Sequence, residues 1–348
     1  STEVLEQEAA LFNVRDADWY VPRPTLGGGG KASQGDSYYV AENPPFGATF
    51  TYYLRESLKS RKAVRQEAEG KIAEEGGDTP TPGWDALRDE ELAPDPAVEL
   101  VVRDGAGALV RRLAGAAQKG LHRVTWDLRR PAVDAWSRGS EGAHSGRGPE
   151  GVLTAPGTYT VSLRKQVEGQ WTDLAGPVSF EVTPLREGSL PGAGPAVAAA
   201  FGLELEAANR RAGAIRAVTA DLLERVTAMR SVLSRSTGDV DSLDARAAGI
   251  VRQLQDIELA FSGSSRRDSA GDPGPVSIQR RLGVASMGTS WSTYGPAPSH
   301  RKSLAIGLAG MTALAEQLES LRSQVIPALE QELDRAGVPW SPGRGIGK

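Results

Sequence analysis

The chain contains no cysteine, only three histidines, and no apolar run approaching the roughly 18 residues needed to cross a bilayer. The first absence excludes disulfides, thiolate zinc sites and cysteine nucleophiles. The second leaves little for a metal. His122, His144 and His300 form no H-x-H or H-x-x-x-H pair, so a zinc site would have to assemble from distant carboxylates. Charge of one sign is missing too. Lys and Arg (40) nearly balance Asp and Glu (44), for a net charge of −4, which gives no electrostatic footprint for nucleic acid or an anionic membrane. The expectations are therefore no cofactor, no metal, no nucleic-acid partner and no transmembrane segment. The opening, Ser-Thr-Glu-Val-Leu-Glu-Gln-Glu, has no basic start and no apolar stretch, and predicts no signal peptide. With no initiator Met, it reads as a processed or excised chain.

What is present is an architecture. The 348 residues are enough for two or three domains. Apolar content of 39% supports a real core, while 41 Gly and 22 Pro predict much loop. Residues 1–47 are expected to be a mostly irregular lead-in, with a short helical start around Val4–Phe12 and a Pro44-Pro45 pair that cannot sit inside a helix. Alternation of period two then marks Ala48–Leu54, with Ala48, Phe50, Tyr52 and Leu54 on one face. Further strands are predicted at Val98–Arg103, Leu109–Leu113, His122–Leu128, Tyr159–Leu163, Gln170–Leu174 and Val178–Val182. Asp104-Gly105-Ala106-Gly107 and Pro156-Gly157 supply turns. Seven short alternating strands predict an antiparallel β-sandwich of the fibronectin-III or immunoglobulin kind over 48–184. It is interrupted at 56–92 by a charged, solvated helix and a short acidic turn at Asp89–Glu91.

After Thr183-Pro184 the period becomes 3.6. Ile215, Val218, Leu222, Val226, Met229 and Leu233 mark one helix. Leu243, Ala247, Ile250, Leu254, Ile257 and Phe261, spaced 4-3-4-3-4, mark a second. A third runs from Leu304 to Leu329, kinked by Pro327 and stopped by Gly337 and Pro339. Residues 185–348 are thus expected to form an antiparallel three-helix bundle with a long polar loop at 262–299. The fold class is α+β multidomain, with no internal repeat.

Candidate chemistry is sparse. Gly27–Gly30 with Lys31 misses the phosphate-loop pattern, because Thr25 and Ala32 stand where Gly and Ser or Thr are required. Glu74-Glu75 and Glu90-Glu91 sit in the charged insertion, where a solvated surface is expected and not a cleft that could separate two pKa values. His122 alternates with Val124 and Trp126, as a packed sheet histidine does. No G-x-S-x-G elbow is present, and no residue is assigned a catalytic role. The candidate site residues are aromatics in predicted loops: Trp136 in the Gly-rich stretch 130–156, and Trp291 with Tyr294 in 262–299. Such a ring either stacks on a sugar or a partner, or tucks back to pin its loop.

The motifs Asn43-Pro44-Pro45-Phe46-Gly47-Ala48, Tyr52-Tyr53-Leu54, Val102-Arg103-Asp104, Val110-Arg111, Gly120-Leu121-His122-Arg123-Val124-Thr125-Trp126-Asp127-Leu128-Arg129 and Pro156-Gly157-Thr158-Tyr159 occur in that order. In this the chain resembles the C-terminal region of bacterial sortilin-like, BNR/Asp-box β-propeller proteins, commonly labelled glycosyl-hydrolase- or sialidase-like. Pro82-Gly83-Trp84-Asp85-Ala86-Leu87-Arg88 and the opening Thr2-Glu3-Val4-Leu5 extend the resemblance over nearly the whole chain. The Asp-box pattern S-x-D-x-G-x-[TS]-W occurs nowhere. Any hydrolase site that the family label implies would lie on the propeller, and no catalytic residue carries over. The resemblance implies export to the bacterial periplasm or cell surface and a β-propeller chain or domain as partner. The expected function is a non-catalytic structural and interaction module. The alternatives are an accessory part of a glycoside-processing enzyme, with Trp136 or Trp291 on the glycan, or a subunit of a larger surface assembly.

Overall fold

A computed structural model of the chain describes residues 2–22, 41, 43–133, 151–186, 191–236, 240–272 and 274–345. It is a mixed α and β protein with two compact units, one formed by Ser1–Pro131 and Leu153–Ser189, the other by Ala132–Val152 and Leu190–Lys348.

The first unit begins with α1 (Thr2–Glu6), β1 (Ala9–Leu11), β2 (Ala17–Trp19) and β3 (Ala48–Leu54). Two helices follow, α2 (Arg61–Glu74) and α3 (Trp84–Leu92). The unit continues with β4 (Ala97–Asp104), β5 (Leu109–Gly115), β6 (Gly120–Trp126), β7 (Gly157–Val167) and β8 (Gln170–Pro184). One sheet has the order β1-β3-β6 and the other β2-β8-β7-β4-β5. Every pairing is antiparallel except the parallel β2–β8. The expected alternation of β3 holds: Ala48, Phe50, Tyr52 and Leu54 are all buried, in register with β6 from Ala48–Trp126 to Leu54–Gly120. They share one core with Leu100, Val102, Val161, Leu163 and Phe180 of the other sheet. Rings interlock across it. Phe50 meets Phe180 edge-on at 5.5 Å, and Trp126 meets Tyr159 at 5.2 Å. Their polar atoms are satisfied as burial demands. Trp126 Nε1 donates to Arg129 O at 2.8 Å, and the Tyr159 hydroxyl to Ala155 O at 2.6 Å. At Gly47 (φ +110°) a Cβ would lie 1.8 Å from the Trp126 carbonyl oxygen, so the chain enters β3 only with glycine there.

Several expectations change here. The helical start at Val4–Phe12 is a single turn, and Ala9–Leu11 is instead a strand on β3. The lead-in thus reaches both sheets, with Trp19 of β2 buried and donating Nε1–H to Thr154 O at 2.7 Å. The predicted strands 170–174 and 178–182 are one strand. Gly176-Pro177 is absorbed where the ladder slips between Val161–Val178 and Leu163–Ala175, a bulge that spares proline a ladder hydrogen bond. The acidic turn at Asp89–Glu91 belongs to α3.

The second unit is helical: α4 (Pro195–Leu233), α5 (Asp241–Ser262), α6 (Ser265–Ser269), α7 (Ile278–Ser290), α8 (Pro298–Ser320), a π turn (Leu321–Val325) and α9 (Ile326–Arg335). The seam predicted for α5 is buried at all six positions. The first helix starts twenty residues before the first marker residue, Ile215, because Phe201, Leu205, Ala208 and Ala212 carry the same buried stripe at spacings of four, three and four. Pro327 has no N–H to donate to Ser323 O. The ladder widens ahead of it, so that Ile326 N–H reaches Leu321 O, five residues back. The helix stops as expected: Gly337 (φ +66°) lets Val338 N–H bond Leu333 O at 3.0 Å.

The segment 262–299 is the main correction. It is not a loop but carries α6 and α7, and α7 places Leu282 and Ala285 in the bundle core. Close packing on α8 makes this work. A Cβ at Gly307 would lie 3.2 Å from Leu282, at Gly310 3.0 Å from Ile278, and at Gly288 2.1 Å from the His300 ring. These pairs run in opposite directions along the two helices, so α7 and α8 form an antiparallel hairpin.

Candidate interaction surface

Trp136 lies outside the described residues, as does His144. Trp291 and Tyr294 are placed. Trp291 follows the last turn of α7 with 52% of its surface exposed, and Tyr294 is 37% exposed. The turn that carries them is held rather than free. Tyr294 N–H donates to Ser292 Oγ at 3.1 Å, and Tyr294 O accepts from Ala193 N–H at 2.8 Å. Gly192 permits that approach, since a Cβ there would sit 2.8 Å from the Tyr294 ring. The backbone pins the turn, and both side chains are partly exposed.

A second exposed aromatic entered the sequence reading only within the Pro82–Arg88 motif. Trp84, the first residue of α3, is 87% exposed. No residue of α2 or α3 is buried, so charge holds the two helices together. Arg65 of α2 gives Nε and Nη2 to the two oxygens of Glu90 on α3, at 2.7 and 2.8 Å. Its Nη1 bonds Glu69 at 2.7 Å. These bonds raise the Arg65 pKa and hold the Glu90 carboxyl below its usual range. Arg61 bonds Glu168 at 2.5 Å, which ties the start of α2 to the β7–β8 turn and lowers the Glu168 pKa. Lys59 does the same to Glu67.

The other perturbed groups are structural as well. Arg230 on α4 grips Asp244 on α5 at 2.9 and 3.2 Å, lowering the Asp244 pKa. Burial raises the hydroxyls of Tyr52 and Tyr159. None of these is a pair of acids driven apart for proton transfer. His122 packs on Tyr52 and bonds Gln118 O at 2.6 Å, and His300 Nδ1 accepts from Ala297 N–H at 3.1 Å at the start of α8. Among the described residues no group of three His, Asp or Glu is placed to hold a metal, and no helix is long and apolar enough to cross a membrane.

Two features went unread in the sequence. A groove of about 910 Å³ runs along α4 beside the end of α5, lined by Gly213, Ala217, Ala220, Leu223, Ala228 and Phe261. Its small residues leave no periodic mark distinct from the core stripe. On α7, Val284 and Met287 stand exposed on the face that leads to Trp291. Their signal, the i, i+3, i+7 spacing, is legible only once 278–290 is known to be helical. No protein-family model matches the chain, and no curated protein matches its sequence.

Proposed function

We propose that this chain is a non-catalytic structural and interaction module, built from a fibronectin-III- or immunoglobulin-like β-sandwich with a helical insertion and an antiparallel helical bundle. The sandwich reading is supported by the two sheet orders and by the first two strands entering different sheets, β1 antiparallel to β3 and β2 parallel to β8. Tyr159 adds to it. It stands near the start of β7 and bonds back to Ala155 O, the tyrosine-corner arrangement of such sandwiches.

The observation that carries the functional reading is where the exposed aromatic side chains stand. Trp84 and Trp291 project from ordered helical elements outside both cores. Large rings held out on fixed elements suit a partner surface, and the perturbed ionisable groups serve to join elements. The partner we assign is a β-propeller, joined to this chain or cleaved from it, in an exported bacterial protein. That assignment rests on the motifs at 43–48 and 120–129. The native mass of the protein isolated from its source tests it: a larger β-rich component is expected, and a lone chain of this mass overturns it. Glycoside turnover by this chain alone, abolished by one point substitution, overturns the non-catalytic reading.

One observation favours the glycan-accessory reading, namely that Trp291 and Tyr294, three residues apart, are both partly exposed. Trp291→Ala then weakens glycan binding by the whole protein, and unchanged binding removes this reading.

A further inference from the structure

The outer face of α7 departs from the rule for surface helices, which turn charge to solvent. Its inner face buries Leu282 and Ala285. Its outer face carries Val284, 47% exposed, Met287, 66% exposed, and then Trp291, three and four residues apart along one stripe. One turn before Val284 the stripe bears Arg280, which is exposed. Just ahead of the helix stands Val276, also exposed.

Charge follows the same pattern. From residue 273 to residue 315 the chain has no Asp or Glu, although acids outnumber bases overall; the stretch carries Arg280, Arg281, Arg301 and Lys302. Arg280 and Lys302 make no ion pair among the described residues. Lys302 lies at the start of α8, two residues after His300, which packs at Gly288 of α7, so its charge joins the same hairpin.

We propose that this face of α7, with Lys302, binds the surface of an anionic phospholipid bilayer. Aliphatic side chains and a Trp on one face, flanked by cations, are the composition of a helix that lies in the headgroup region, its ring at the apolar–polar boundary. Acidic side chains there would repel lipid phosphate, and this stretch has none. The net charge of −4 does not oppose the contact. Charges farther than a Debye length, about 8 Å in physiological salt, are screened, so the local excess of cations decides. A protein partner with an acidic, apolar cleft is the competing occupant.

Flotation of the full chain with vesicles tests this. Binding is expected to phosphatidylcholine vesicles containing phosphatidylglycerol and not to phosphatidylcholine alone, and to fall as salt rises. Arg280→Glu should weaken it at least about fivefold, the worth of one surface cation. The double substitution Val284→Asp with Met287→Asp should abolish it. Unaltered far-UV circular dichroism and melting confirm that the exposed-site variants fold. Failure to bind the anionic vesicles overturns the proposal, as does equal binding to both vesicle types or full binding by the double variant. Binding of soluble polyglutamate without vesicle binding also overturns it and assigns the face to an acidic protein.

Discussion

Two helical segments of this chain are helical for opposite reasons. The insertion carrying α2 and α3 is rich in helix formers and buries no residue in either helix. Helix α7, in a stretch rich in Gly and Ser, buries Leu282 and Ala285. The first is helical by local preference and stays together by charge, with Arg65 bridging Glu69 and Glu90. The second has Gly283 and Gly288 in its interior, each costing about 1 kcal/mol against alanine. It exists because α8 offers glycine-lined contacts at Gly307 and Gly310. Helix content thus has two sources here, propensity and packing, and each leaves the other's mark absent.

The contrast sets an order of effects. Leu282→Ala should destabilise the helical unit most, by about 2–5 kcal/mol, the range for truncating a buried leucine. Chemical denaturation followed by circular dichroism measures it, and a change within about 0.5 kcal/mol, the size of a surface substitution, would show α7 to be packed only loosely. Arg65→Gln should loosen α3 from α2. Amide exchange in 84–92 should speed up while that in β3 and β7 is unchanged, and uniform exchange across the unit would contradict the separation.

Acid should also divide the two segments. Bonds from Lys59, Arg65 and Arg61 depress Glu67, Glu90 and Glu168. Their support is therefore complete above the unfolded carboxylate pKa, about 4.3, and is lost as pH falls through the lower folded values. The α2–α3 insertion should lose amide protection below about pH 4.3. Helix α7 has no carboxylate and should keep its protection over the same range. Alkali acts elsewhere. Burial raises Tyr52 and Tyr159, so their contribution is complete below the unfolded value, about 10, and fades as pH rises through the folded ones. The β unit should then lose stability above about pH 10, visible in its denaturation midpoint. Smallest of all, Trp84→Ala should change stability by no more than about 0.5 kcal/mol, because its ring is exposed. A larger loss would mean that the ring packs within the α2–α3 insertion.

The legible parts of the fold were those with a strong period. Residues 48–54 appear in the structure with the bounds and buried face that alternation predicts. The α5 seam from Leu243 to Phe261 is equally clear. Strands β1 and β2, three residues each, are too short to show a period, and exist because β3 and β8 offer them an edge. Of the candidate site residues, Trp291 and Tyr294 were found by being aromatic among polar neighbours. The stripe of Val284 and Met287 that leads to Trp291 stayed hidden, since its spacing has meaning only on a helix.

The sequence alone determined which faces of the long strands and of α5 turn inward, because burying apolar area at a repeat of 2.0 or 3.6 residues is a local property of the chain. It also determined the charge-held insertion, whose pairs lie mostly within a few turns. Tertiary structure decided the rest: that Gly176-Pro177 sits within a strand, that a segment with glycines is a helix, and that Val284 and Met287 of that helix are left to solvent. In each case the deciding energy comes from a neighbour distant in sequence, a slipped ladder at Val161–Leu163 or the glycines of α8, and no local pattern encodes where that neighbour will be.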